Sequence, residues 1–150
     1  MDQWAPHVTV ACVIERDGKY LMVEERDKFS GKLVFNQPAG HLEDGESITE
    51  AALRETLEET GWHVELTGVL CVALHRAPTN NNTYFRTTFL ATPLQRDEGA
   101  RIDPDIHAIH WLDYEEILAN SARMRSPIAL AVIERHRRGT FYPLDLIHST

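Results

Sequence analysis

The chain has only two cysteines, no apolar run of membrane-spanning length, and fewer basic than acidic residues, 15 against 23. Each shortage excludes something. Cys12 and Cys71 sit in apolar, strand-like runs and make no disulfide framework; two buried, reduced thiols are expected. Without a run of about 20 apolar residues there is no membrane helix to place. A formal net charge of −8 repels polyanions, so nucleic acid is not an expected partner. The opening Met1-Asp2-Gln3-Trp4-Ala5-Pro6 lacks the basic and apolar pattern of a signal peptide. A cytoplasmic location is the default expectation. Repeats, low-complexity tracts and linkers are absent too.

What is present fits one globular domain over residues 1–150, with 43% hydrophobic and 25% charged residues. His7 to Glu15 reads as a strand with Val8, Val10, Cys12 and Ile14 on one face. Asp17-Gly18 is a turn signal, and Lys19 to Glu25 returns as the second arm of a hairpin. Lys32 to Gln37 reads as a short strand stopped by Pro38. Ser47 with Glu50 predicts a capping box at the start of the clearest helix, and Gly61 predicts its left-handed end. Trp62 to Leu74, Thr83 to Leu90 and Ile106 to Leu112 read as further strands. Asp113 opens a short helix, and Ser126-Pro127 a last one that Gly139 closes. The expected class is α/β (mixed α+β), a mixed sheet covered by helices.

The sharpest signal is acidic. Glu55, Glu58 and Glu59 are spaced i, i+3, i+4 and share a helical face, where like charges repel. Arg54 is expected to relieve this by pairing with Glu58 four residues on and Glu50 four residues back. For three glutamates alone, a solvated helix face is the better reading. The neighbouring residues alter the balance, because Gly40, Glu46, Arg54-Glu55, Glu58-Glu59 and Gly61 fall in one fixed register. That register resembles the Nudix box, G-x5-E-x7-R-E-U-x-E-E-x-G-U, over residues 40–62, with U a bulky apolar residue. All seven fixed letters match, an accident on the order of one in a million at average residue frequencies. Thr56 stands where the family prefers an aliphatic residue, Trp62 takes the final apolar place, and Ala39 replaces a commoner glycine.

The resemblance implies a Nudix-type α/β/α sandwich with a loop–helix–loop motif. It implies Mg²⁺, with Mn²⁺ as substitute, held by Glu55, Glu58 and Glu59 and by the Gly40 carbonyl. Arg54 would orient Glu55, Glu46 would fix the loop, and Gly40 and Gly61 would stand where a side chain clashes. Glu55 or Asp105 would take a proton from the attacking water; for Asp105, a turn residue after Pro104 is an equal reading. A narrower resemblance to a bacterial phosphatase branch of the family runs through Pro6–Cys12, Asn36–Glu43, Arg125-Ser126-Pro127 and Tyr142-Pro143-Leu144. It implies release of orthophosphate from nucleoside di- and triphosphates, hydroxymethylpyrimidine diphosphate or thiamine diphosphate.

Arg86, His41 and Arg125 are the candidates for contact with the substrate. An exposed strand arginine, a loop histidine and a structural ion pair are the respective alternatives. Tyr84, Phe85 and Trp4 are candidates to stack on a base, against a plain core role. The basic run Arg135 to Arg138 is explained by the helix dipole. Two rival functions stand beside this one. One is a hydrolase of ADP-ribose, dinucleoside polyphosphates or capped RNA on the same fold; the other is a nucleotide sensor without turnover. The partner expected is a small diphosphate or nucleotide, with no membrane, and the assembly a monomer or homodimer.

Overall fold

The first hairpin sets the frame. Strands β1 (His7–Arg16) and β2 (Lys19–Arg26) meet at the two-residue turn Asp17-Gly18, pairing Glu15 with Tyr20 and Arg16 with Lys19. The computed structural model describes residues 2–149. In it β1 is shared between two partners: its later half holds β2, while its earlier half pairs antiparallel with the three-residue β4 (Ala39–His41). On β1's other edge runs β6 (Thr83–Arg96), parallel to it, followed by β5 (Trp62–Arg76). β3 (Leu33–Asn36) and β7 (Ile106–Asp113) both pair antiparallel with β2. The result is a mixed sheet of seven strands, opened between β4 and β2.

Both faces of β1 are buried. Val10, Cys12 and Ile14 pack with Ala51 and Ala52 of α1 (Ile48–Thr60). Val13 turns the other way, to a second core with Ile117 of α2 (Tyr114–Ala119) and Val132 and Ile133 of α3 (Pro127–Arg137). Helices therefore cover both sides, as a sandwich requires. The alternation of the sequence placed one face correctly; the other, Ala11 and Val13, is apolar as well.

Two expectations on this frame need correcting. β6 does not stop at Leu90 but continues through Pro93 to Arg96. Proline removes a ladder donor, yet here it falls beside a register shift at His63/Val64, where a bulge relaxes the pairing. Cys71 is only partly buried, whereas Cys12 is fully enclosed; both thiols are free. Among the described residues, no helix is long and apolar enough to cross a membrane.

Candidate active site

α1 begins and ends as its sequence dictates. Glu50 N donates to Ser47 Oγ at 3.1 Å and Ser47 N donates to Glu50 Oε1 at 2.9 Å. Gly61 closes the helix at φ 75°, its N–H donating to Leu57 O, and a side chain there would be strained and would crowd Ile102. Thr56, fully buried in an aliphatic position, donates its hydroxyl to Ala52 O at 2.8 Å, so its polarity is satisfied inside the helix. Trp62 packs edge-on against Trp111, ring centres 5.8 Å apart.

Because Glu50 is spent on the cap, it does not pair with Arg54 as the sequence suggested. Arg54 reaches Glu46 instead: Nε donates to Oε2 at 2.9 Å and Nη2 to Oε1 at 2.7 Å. Its remaining donors go to Glu55 Oε1 at 2.9 Å, Glu58 Oε2 at 3.2 Å and the His41 carbonyl at 3.0 Å. Glu46 also accepts from Glu43 N, so one arginine ties the loop before α1 to the carboxylates on it. The resulting bonds hold the Glu46 carboxyl down at about 2.

The three glutamates are not equivalent. Glu58 is half exposed, while Glu59 is buried and accepts from Ala39 N at 2.8 Å. Glu55 lies directly over Gly40: a methyl group there would come well within 3.0 Å of all three carboxyl atoms. Burial, with added repulsion from Glu25, Glu55 and Asp103, pushes Glu59 up to about 9. Burial also raises Glu55, against the pull of Arg54. Among the described residues no three such donors are grouped at coordinating distance, and Arg54 Nη1 bridges Glu55 and Glu58. The donor chemistry nevertheless fits a divalent cation. Carboxylates are concentrated where burial and mutual repulsion oppose their ionisation, beside a strand that leaves room only for hydrogen at Gly40.

β4 links the carboxylates to a cavity. Ala39 binds Glu59, Gly40 lies under Glu55, and both residues line a cavity of about 270 Å³ that β2 and β6 also border. Arg86, His41, Arg125 and Asp105 all line it, so the three candidate contacts and the late acid gather at one place. Arg86 is buried, not on an exposed face. It donates to Gln37 Oε1 at 2.6 Å, Thr88 Oγ1 at 3.2 Å and Asn36 Oδ1 at 3.3 Å. All three acceptors are neutral, and burial brings the guanidinium down to about 10. Arg125 is ion-paired with Glu25 at 2.5 Å, as the structural reading had it. Asp105 lies in the turn before β7, exposed and 3.6 Å from Lys28 Nζ. His41 is exposed on the rim, edge-on to His7. Tyr84 faces the cavity, Phe85 the opposite side of the strand, and Trp4 is exposed.

Sequence reasoning missed Asn36 and Gln37 as the acceptors that hold Arg86, and His75 on the cavity wall. The signal for His75 was its register opposite Tyr84, invisible without the strand pairing.

The model of the NUDIX domain matches residues 5–131, and the chain belongs to the Nudix family. It is a Nudix hydrolase, of a family that acts on diphosphate bonds and generally uses divalent metal ions. It is similar to phosphatase NudJ of Escherichia coli K12, 39% identical over 143 residues, covering 95% of this chain and 90% of that protein. A NUDIX hydrolase structure from Nitrosomonas europaea superposes with a TM-score of 0.94 at 40% identity, covering 97% of this chain and 98% of that one. A bifunctional NMN adenylyltransferase/ADP ribose pyrophosphatase from Francisella tularensis, complexed with AMP and Mn ion, shares the fold. Its TM-score is 0.69 at 21% identity, over 91% of this chain and 42% of that one.

Proposed function

We propose that this hydrolase, one catalytic domain over residues 1–150, releases orthophosphate from nucleoside di- and triphosphates and from diphosphates such as hydroxymethylpyrimidine or thiamine diphosphate. The observation that carries the reading is Arg86: a buried guanidinium with only neutral hydrogen-bond partners, lining a cavity whose β4 residues Ala39 and Gly40 are in contact with Glu59 and Glu55. A buried charge without an opposite charge is costly, and a substrate phosphate supplies one. The likeness to a NudJ phosphatase supports the choice of orthophosphate as product.

Glu55, Glu58, Glu59 and the Gly40 carbonyl would hold Mg²⁺, or Mn²⁺ in its place. The ion supplies charge neutralisation at the phosphate oxygens and acidifies a nearby water. Arg54 holds Glu55 by its 2.9 Å bond, so that carboxylate keeps one orientation while it accepts the water's proton. Asp105 is the second candidate for that proton, its carboxylate exposed at the mouth of the cavity. Arg86, Arg125 and His41 face the phosphate chain. The free thiols fit a cytoplasmic setting.

Phosphate release from GDP, GTP and a pyrimidine methyl diphosphate, with and without Mg²⁺, tests the reading. Glu58→Gln should lower turnover by roughly 10² or more while the melting temperature holds, because Glu58 is half exposed. Undiminished turnover in Glu58→Gln removes that residue from the metal set. Pyrophosphate or paired nucleotides as products would point to the ADP-ribose or dinucleotide type of hydrolase instead. Binding without turnover under every metal would point to a sensor.

A further inference from the structure

Strand register places two rows of side chains on the cavity face of the sheet. One row is Ala73, Arg86, Thr9 and His41; the next, two residues along, is His75, Tyr84 and His7. Two residues of strand separate the rows by about 7 Å. A phosphate at Arg86 therefore leaves the organic part of a substrate within reach of the second row. That row is aromatic throughout. His75 and Tyr84 stack at 5.6 Å and 24°, and His7 lies 5.3 Å beyond Tyr84. The 77–82 loop completes the wall, with Asn80 Nδ2 donating to the Tyr84 hydroxyl at 2.8 Å.

His75 holds the informative atom. Among the described residues its Nδ1 is the buried side-chain nitrogen or oxygen without a hydrogen-bond partner. Buried polar atoms are paired with few exceptions, and an exception on a cavity wall points to a ligand. Burial, and Arg86 nearby, lower the pKa of His75, so the ring is neutral and carries one donor and one acceptor nitrogen. His75 and Arg86 both line the cavity, and Ala73, the register partner of Arg86, is the small residue two positions before His75.

We propose that His75 and Tyr84 form the subsite that selects the organic group of the substrate: a planar nitrogen heterocycle lies against the pair, and its edge hydrogen-bonds His75 Nδ1. The inference rests on the reading that phosphates meet Arg86. A sugar hydroxyl would bond the imidazole too, but an aromatic heterocycle also gains from contact with the aromatic row.

The test is equilibrium binding, in Mg²⁺, of methylene-bridged purine and pyrimidine nucleoside diphosphate analogues, with methylenediphosphonate as the probe lacking a ring. The wild type should bind at least one nucleoside analogue more tightly than methylenediphosphonate. His75→Phe keeps a flat ring and removes both nitrogens. It should weaken that analogue about tenfold, the weight of one buried hydrogen bond, and leave methylenediphosphonate unchanged. His75→Gln should recover most of the loss. Tyr84→Leu should weaken the same analogue selectively, and it carries the comparison if His75→Phe does not fold. Equal weakening of both ligand types, no weakening, or a wild type that prefers neither overturns the subsite. The hydrolase reading fails separately, through absence of phosphate release by the wild type.

Discussion

Gly40→Ala is the smallest change that should disable the site. The added methyl would land well inside 3.0 Å of Cδ, Oε1 and Oε2 of Glu55. Ordinary carbon contact needs about 3.5 Å, so the carboxylate must retreat by about 1 Å. It cannot retreat freely, because Arg54 Nη1 grips Oε1 at 2.9 Å and is itself clamped by Glu46. A displacement of that size in a catalytic group costs on the order of 10² in rate. Folding should suffer little: Gly40 lies on a three-residue strand that lines the cavity, and the clash falls on the one side chain of Glu55 rather than on the hydrophobic core. The assay is steady-state phosphate release at saturating Mg²⁺, with thermal melting alongside. Turnover within about twofold of wild type, at unchanged melting temperature, would refute the claim that Glu55 must occupy the space over Gly40.

Three further changes probe different parts of the molecule. Arg86→Lys keeps the charge but cannot reach Asn36, Gln37 and Thr88 together, so KM for diphosphates should rise at least about tenfold; an unchanged KM would take Arg86 out of substrate binding. Burial pushes the Cys12 thiol up to about 11, so alkylation of the native protein at pH 8 should modify Cys71 and spare Cys12 until the chain unfolds. Peptide mass mapping would contradict this if both cysteines reacted together. Glu24 is the pH probe. Burial works to raise its pKa, but bonds from His110 and Arg123 leave it below the ordinary 4.5. Well above 4.5 both folded and unfolded chains hold it ionised and its contribution is complete. As pH falls further the unfolded chain protonates first, and the contribution fades through the folded value. Glu24→Gln should therefore cost about 1–2 kcal/mol at pH 7 and less at pH 3. An equal loss at both pH values, by urea denaturation, would reject the linkage.

The sequence made the helix and its register readable because both are local. Ser47, Glu50 and Gly61 act on backbone groups within a turn, and the Nudix box spaces its residues along a single helix. Strands read by alternation were found wherever a turn bounded them. β4 was missed because three residues after Pro38 carry no period, and its existence depends on β1 offering a free edge. The same locality explains the error over Arg54. Four residues back on the helix lies Glu50, the nearer candidate by spacing, but the loop folds Glu46 within 2.7 Å and the cap consumes Glu50.

What no local pattern contains is the sheet crossing. Arg86 announced itself as a charge in an apolar strand, yet its neutral cage of Asn36, Gln37 and Thr88 joins residues about fifty positions apart. His75 announced nothing, since a histidine at the end of an edge strand is unremarkable until Tyr84 stacks on it and its Nδ1 is left without a partner at the cavity wall. The division follows from the chemistry. Holding a cation needs several oxygens, and the candidate carboxylates and carbonyl for it lie on one helix and one loop within about twenty residues of sequence. Selecting an organic group needs a wall, and a wall needs several strands in register. On the proposed reading the reaction is written in a contiguous motif, while the choice of substrate is distributed over β1, β4, β5 and β6, where only the folded chain brings those residues together.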